Sequence, residues 1–242
     1  MMRFEFKYVI PNAEAREIHN QLLNHGMEPD PKSTMYPEHT YPVTSLYFDT
    51  PSLEDYQDKA GGFLRRKKIR IRIYTPSLSE ETPEIWLEKK EKYEMRITKN
   101  RILLGEKDYH DILRGSRLML FASLRRRDLK EAETIFSSLW NGRMRPHLIT
   151  RYLRTPLISK KYSDIRITFD FNIEACRSKD LHYTQGMMPI LPINKTVMEV
   201  KFSHILPFWF KTIIQELNLS RTSFSKYGKS VEAIYKYNPI PR

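Results

Sequence analysis

The sequence predicts an α+β protein: about eight antiparallel strands rolled into a barrel or tunnel, with helices packed outside. Segment after segment alternates strictly between apolar and charged side chains, the period of a strand with one buried face. The charged faces are almost purely ionic, with few of the Thr, Ser and Gln residues that a water-facing sheet carries. A closed barrel accommodates such faces, because inward and outward residues alternate along every barrel strand.

The first strand runs from Arg3 to Ile10, with Arg3, Glu5 and Lys7 on one side and Phe4, Phe6 and Tyr8 on the other. Pro11 ends it, and Asn12 is placed to cap a helix to about Asn24, with Ile18 and Leu22 as its buried stripe. Residues 26–42 are rich in Pro, Asp and Ser and read as loop. Val43 to Asp49 reads as a strand, and Thr50-Pro51 starts a helix from Leu53 to Lys59. Gly61-Gly62 turns the chain into the most telling strand, where Lys68, Arg70, Arg72 and Tyr74 alternate with Ile69, Ile71 and Ile73. Glu84 to Lys92 repeats the design, with Trp86, Glu88 and Lys90 opposite Ile85 and Leu87, and a charged segment with Arg96, Lys99 and Arg101 follows to Leu104. Residues 106–141 switch to helical spacing. Strands return at His147 to Ile158 and Ile165 to Ile173, then at Val197 to Phe202 after a long Pro-bearing loop. Pro207 opens an aromatic helix to about Leu217, in which Phe208, Trp209 and Phe210 read as packing residues. A last short helix spans Val231 to Tyr237. No repeat, low-complexity tract or linker interrupts the chain, so one domain over residues 1–242 is expected.

Composition narrows the function. The 41 Lys and Arg residues exceed the 29 Asp and Glu by 12, a surplus that attracts phosphate-rich partners. The single cysteine, Cys176, excludes an internal disulfide framework and a Cys-based zinc site. No apolar run reaches the ~20 residues of a membrane helix, and the charged N-terminus shows no signal peptide. A cytoplasmic protein is expected. The charge ladder on residues 68–74 needs compensation by water, by carboxylates on neighbouring strands or by a polyanion. Because the same ionic face recurs on several strands, a short, highly charged anion such as a tri- or polyphosphate is the preferred compensator. Arginine forks and lysine ammoniums bind phosphate oxygens, and interspersed carboxylates can hold a divalent metal. The runs Arg65-Arg66-Lys67 and Arg125-Arg126-Arg127 read as solvated loops able to guide anions. No Ser-His-Asp or Cys-His arrangement stands out, and His147 reads as structural.

Arg3-x-Glu5-x-Lys7-Tyr8 resembles the Glu-x-Lys signature of triphosphate tunnel metalloenzymes, within the CYTH-like superfamily. The pattern is most similar to the VTC domain of polyphosphate polymerases. Ser45-Leu46-Tyr47-Phe48-Asp49-Thr50, Arg70-Ile71-Arg72-Ile73-Tyr74, Met198-Glu199-Val200-Lys201-Phe202 and Ser225-Lys226-Tyr227 extend the likeness over nearly the whole chain. The resemblance implies a β-tunnel in which the terminal phosphate of ATP passes to a growing polyphosphate chain with Mn2+ or Mg2+ assisting. It implies phosphate-binding roles for Lys7, Arg70, Arg72, Lys90, Arg151, Arg166 and Lys201, with Lys99 added to them. Ser225 and Lys226 resemble a C-terminal phosphate-contacting motif. Glu199 resembles a metal ligand; Glu5 and Glu88 are either further ligands or charge-balancing partners. Coupling to a membrane would fall to a separate protein.

Three readings stay open: a polyphosphate polymerase, a metal-dependent tri- or polyphosphatase of the same fold, and a non-catalytic polyphosphate-binding protein. Nucleic acid ranks last as a partner, because the ionic faces carry few aromatics for base stacking.

Overall fold

A computed structural model describes residues 4–94, 96–115, 129–161 and 164–235. Arg3, the Arg125-Arg126-Arg127 run, the part of the helical stretch over 116–128 and the end of the last expected helix beyond Tyr235 lie outside the described residues.

The strands are β1 (Phe4–Pro11), β2 (Met27–Pro29), β3 (Tyr41–Asp49), β4 (Arg65–Ile73), β5 (Ile85–Tyr93), β6 (Arg96–Leu104), β7 (Arg145–Ser159), β8 (Arg166–Arg177), β9 (Met188–Pro189) and β10 (Lys195–Phe202). The helices are α1 (Asn12–Asn24), α2 (Glu54–Ala60), α3 (Glu106–Arg114), α4 (Leu129–Asn141), α5 (Phe208–Glu216) and α6 (Lys226–Tyr235). Hydrogen bonds order eight strands as β1-β10-β8-β7-β3-β4-β5-β6, with β2 beside β7 and β9 beside β8. The α+β class and the antiparallel sheet agree with the alternation. The path ends at β1 and β6, so strand pairing among the described residues leaves the sheet open instead of closing it as a barrel.

The chain forms two compact units, each assembled from three separated segments. The first lies within Met1–Pro42, Tyr152–Ile173 and Pro189–Ser225; the second lies within Val43–Arg151, Glu174–Met188 and Lys226–Arg242. The apolar strand faces make the cores. In the second unit Ile69, Ile71 and Ile73 pack with Leu87, Ile102, Tyr109, Ile135 and Phe136. In the first, Tyr8, Ile167, Met198 and Val200 pack against Ile18 and Leu22 of α1 and Phe210 of α5. Full burial of each such side chain is worth roughly 1.5–3 kcal/mol. No helix among the described residues is long and apolar enough to cross a membrane.

Local chemistry moves several element ends. Asn12 does not cap α1: its amide donates to the Ile193 carbonyl at 3.0 Å and its side-chain oxygen accepts from Thr196 at 2.9 Å. Pro11 occupies the cap position with no side-chain bond. Phe208 is 82% exposed, whereas Phe210 is buried and Trp209 stacks on His25. The last helix begins at Lys226, five residues earlier than its apolar spacing indicates, because Tyr227 and Gly228 are already buried in it.

Asp49 fixes the start of α2. Its Oδ1 accepts backbone N–H bonds from Thr50 at 2.7 Å and Asp55 at 3.0 Å, and its Oδ2 accepts from Tyr56 at 3.1 Å. The Tyr227 hydroxyl of α6 donates to the same Oδ2. Burial, reinforced by the Asp49 carboxylate, raises the Tyr227 phenol well above its usual pKa and keeps it a donor. Between cap and helix, Leu53 adopts a left-handed φ of 58°, an uncommon conformation for a branched residue. Its side chain packs with Tyr47, Leu148, Tyr227 and Val231. Tyr227→Phe leaves Asp49 short of one donor and is expected to lower stability by about 1–3 kcal/mol. Asp49→Ala, which strips α2 of its cap as well, should cost more. Urea unfolding midpoints check the order; two unshifted midpoints would show that this contact does not hold α6.

Candidate functional site

Strand alternation puts the charges of the second unit on one face of β3 to β6. Cross-strand register sets them in rows: Ser45, Arg72, Trp86 and Leu103; Tyr47, Arg70, Glu88 and Arg101; and Lys68, Lys90 and Lys99. These rows hold six cations and one carboxylate, Glu88. Glu88 is buried and meets Arg70 at 2.7 Å, Lys99 at 2.6 Å and Arg72 at 4.0 Å. Arg70 also donates to the Tyr47 hydroxyl at 3.1 Å, and Arg72 to Ser45 Oγ at 3.1 Å. The Arg101 guanidinium lies over the Trp86 ring, 3.6 Å from its centroid.

These neighbours shift the titration of the cluster. Burial alone would raise the Glu88 carboxyl, but Arg70, Arg72 and Lys99 outweigh it and hold the group well below the usual carboxylate range. Burial lowers Lys99 to about 8, against the pull of Glu88 and with the help of Arg70. Burial would raise the Tyr47 phenol, yet Arg70, Arg72 and Lys68 bring it down to about 8.

The first unit carries a different ionic face. Register aligns Glu5 with Lys201 and Arg166, and Lys7 with Glu199 and Thr168. The Lys7 ammonium lies 3.1 Å from Glu5 and 3.7 Å from Glu199, and donates to the Phe224 carbonyl at 3.1 Å. Lys201 meets Glu199 at 2.7 Å, and Arg166 meets Asp30 at 3.0 Å. Arg154, almost fully buried, forks onto Asp170 with bonds of 2.7 and 2.8 Å. Lys7, Lys201, Arg154 and Arg166 are thus matched by Glu5, Glu199, Asp170 and Asp30. Burial lowers Lys7, but Glu199 and Glu5 more than reverse this; burial lowers Lys201, and its carboxylates do not restore it. Two buried donors of this face, Arg166 Nε and Thr168 Oγ1, have no hydrogen-bond partner among the described residues.

Of the residues named from sequence, Arg70, Arg72, Lys90, Lys99 and Glu88 therefore share one face, and Glu5, Lys7, Arg166, Glu199 and Lys201 share the other. Arg151 joins neither cluster. It shares a strand face with the core residue Ile149 and pairs with Glu174 at 2.6 Å, so its place on an ionic face is corrected here. Ser225 precedes α6 and Lys226 opens it, both half-buried. Arg154, Tyr47, Lys68, Arg101 and Thr168 belong to the ionic faces although sequence reasoning assigned them no site role.

Among the described residues no group of three or more His, Cys, Asp and Glu is arranged to hold a metal. Glu5 and Glu199, both against Lys7, still suit a hard divalent ion, which takes one or two carboxylates and completes its shell with phosphate and water oxygens. Glu88 does not suit one, because three cations already surround it.

Comparison with known proteins agrees with the fold. A candidate adenylate cyclase from Bacillus halodurans shares 11% identity and superposes with a TM-score of 0.52, covering 93% of this chain and 96% of its own. A protein from Pyrococcus horikoshii OT3 shares 12% identity with a TM-score of 0.52, covering 97% and 99%. These likenesses establish the fold. A Mimivirus capping enzyme triphosphatase, 12% identical over 88% of this chain and 87% of that one, has a TM-score of 0.32 and is too distant to carry an argument. No curated protein sequence matches the chain. Residues 2–235 match the VTC domain, so the chain belongs to the VTC domain family.

Proposed function

We propose that the protein is a polyphosphate polymerase, which transfers the terminal phosphate of ATP to a growing polyphosphate chain. The observation that carries this reading is the face of β3 to β6, whose aligned rows hold six cations and one carboxylate among the described residues. Such a surplus, partly withdrawn from water, is relieved by a ligand with several negative charges close together. Membership of the VTC domain family supports the same substrate class.

Phosphoryl transfer asks little covalent chemistry of a protein; positioning and charge neutralisation do most of the work. Arg70, Arg72, Lys90 and Lys99 bind phosphate oxygens in this reading, and Glu88 holds the guanidinium and ammonium groups in place. On the first unit Lys7, Arg166 and Lys201 bind phosphate oxygens in the same reading, beside the buried Arg166 Nε and Thr168 Oγ1, which have no hydrogen-bond partner among the described residues. Ser225 and Lys226 contact phosphate as the family likeness suggests. Glu199 and Glu5 would hold a Mn2+ or Mg2+ ion, which would supply charge neutralisation for the phosphoryl transfer. The Pγ–O bond to ADP breaks, ADP leaves with the electron pair, and the new P–O bond forms to the terminal phosphate of the acceptor chain. A hydrolase would use the same grip with water as acceptor, so the product decides. Incubation with ATP and Mn2+ is expected to give long-chain polyphosphate; free phosphate alone would replace the polymerase reading with the triphosphatase.

Arg70→Ala and Arg72→Ala should each weaken tripolyphosphate binding by about tenfold or more, since a charge-assisted hydrogen bond is worth about 1.5–3 kcal/mol. Calorimetry measures the affinity and circular dichroism the retained fold; unchanged affinity in both variants removes these residues from the site. Glu199→Gln should abolish metal-dependent turnover while tripolyphosphate still binds, and full activity in that variant would exclude the ligand role. Lys99 loses its positive charge and Tyr47 gains a negative one as pH rises through about 8. Both changes reduce the positive field, so tripolyphosphate affinity should fall between neutral and alkaline pH. By linkage, bound tripolyphosphate should move the Tyr47 phenolate absorbance to higher pH. An unshifted Tyr47 titration, identified by its loss in Tyr47→Phe, would place the anion elsewhere.

A further inference from the structure

A cavity of about 490 Å3 opens in the second unit, lined by Phe48 of β3, His110 and Ile112 to Gly115 at the end of α3, Met144 to Pro146 entering β7, and Lys179 and Asp180 after β8. Its size is that of a small-molecule pocket, roughly 300–1,000 Å3. Phe48 belongs to the apolar face of β3, whereas its neighbour Tyr47 lies on the ionic face. Strand alternation therefore sets this cavity on the opposite side of β3 from the Arg70–Glu88 cluster.

The chemistry of the lining is mixed in a specific way. Phe48, Ile112, Leu113, Met144 and Pro146 supply an apolar wall. Arg114, Arg145 and Lys179 are exposed at the same cavity, and none of them makes an ion pair among the described residues. The one lining carboxylate among the described residues, Asp180, is committed: its Oδ1 accepts from the Tyr109 hydroxyl at 2.7 Å and the His182 N–H at 2.9 Å. Asp180 N–H also donates to Ser178 Oγ at 3.1 Å, closing the turn that presents Lys179. Among the described lining residues, three Lys and Arg side chains stand against one carboxylate, a surplus of positive charge. A phosphate monoester carries about −1.5 to −2 near neutral pH, with three acceptor oxygens for such donors.

We propose that this cavity binds a small phosphomonoester with a flat apolar body, the chemistry of a nucleoside monophosphate, at a site separate from the triphosphate cluster. Arg114, Arg145 and Lys179 take the phosphate, and the Phe48, Ile112 and Met144 wall takes the body. The site does not depend on the polymerase reading.

The test is calorimetric titration of AMP into the full chain with tripolyphosphate present at saturation, so that the ionic face of β3 to β6 is blocked. One saturable AMP site is expected. The triple variant Arg114→Gln, Arg145→Gln, Lys179→Gln changes only exposed side chains and should weaken AMP about tenfold or more while leaving tripolyphosphate affinity unchanged. Inorganic phosphate should bind clearly more weakly than AMP, since it offers nothing to the apolar wall. AMP displaced by tripolyphosphate, AMP affinity unaltered in the triple variant, or inorganic phosphate equal to AMP would each overturn the proposal. Tripolyphosphate binding and its loss in Arg70→Ala are read separately, so failure of this site is distinguishable from failure of the proposed function.

Discussion

A single buried carboxylate faces three cations at Glu88, and the behaviour of the whole β3 to β6 face follows from that shortage of negative charge. Glu88 holds Arg70, Arg72 and Lys99 together, and Lys68, Lys90 and Arg101 lie on the same rows. The residual repulsion shows in Lys99, an ammonium that burial and nearby guanidiniums push toward neutrality, and in Tyr47, a phenol drawn toward ionisation. The polyanion proposed as ligand would relieve all of these at once, and its binding would then be coupled to the stability of this unit through mass action. The first unit is built on the other principle, with each cation given its own acid. That balance suits residues that orient and hold a metal better than residues that supply raw attraction.

Much of this was legible because β-structure writes its faces into the sequence with period two. Residues 68–74 named their own core and ionic sides, and the structure keeps both. Arg151 and Arg154 show where that legibility runs out. Both lie on one 15-residue strand, and choosing between them required the register of that strand. Arg151 shares its face with Ile149, a core residue, while Arg154 shares the opposite face with Thr150 and Tyr152. Asn12 fails for a different reason. Its side chain has the chemistry of a cap, but Ile193 and Thr196, more than 180 residues away in sequence, compete for it and win. Tyr47 was visible only as part of a motif; its shifted titration comes from three cations on β4 that no local pattern brings against it.

The two motif segments at 45–50 and 225–227 prove to be one structural device. Asp49 caps α2 and receives the Tyr227 hydroxyl, while Tyr47 stacks on the Tyr227 ring with centroids 5.0 Å apart. The same stretch thus supplies a side chain to the ionic face through Tyr47, a cap through Asp49 and a core contact through Phe48. Alternation makes this division of labour possible, and it explains why the segment tolerates little freedom: each residue answers to a different neighbour.

The three-segment construction of each unit also has a kinetic meaning. Among the described residues strand β1 pairs with β10 alone, setting Phe4 against Phe202 and Lys7 against Glu199 across nearly 200 residues of chain. Contacts of such long sequence separation must overcome their loop-closure entropy before they reward folding, which slows formation of the sheets that contain them. The pairing that brings the carboxylates Glu5 and Glu199 around Lys7 is therefore among those with the longest loop to close before it is formed.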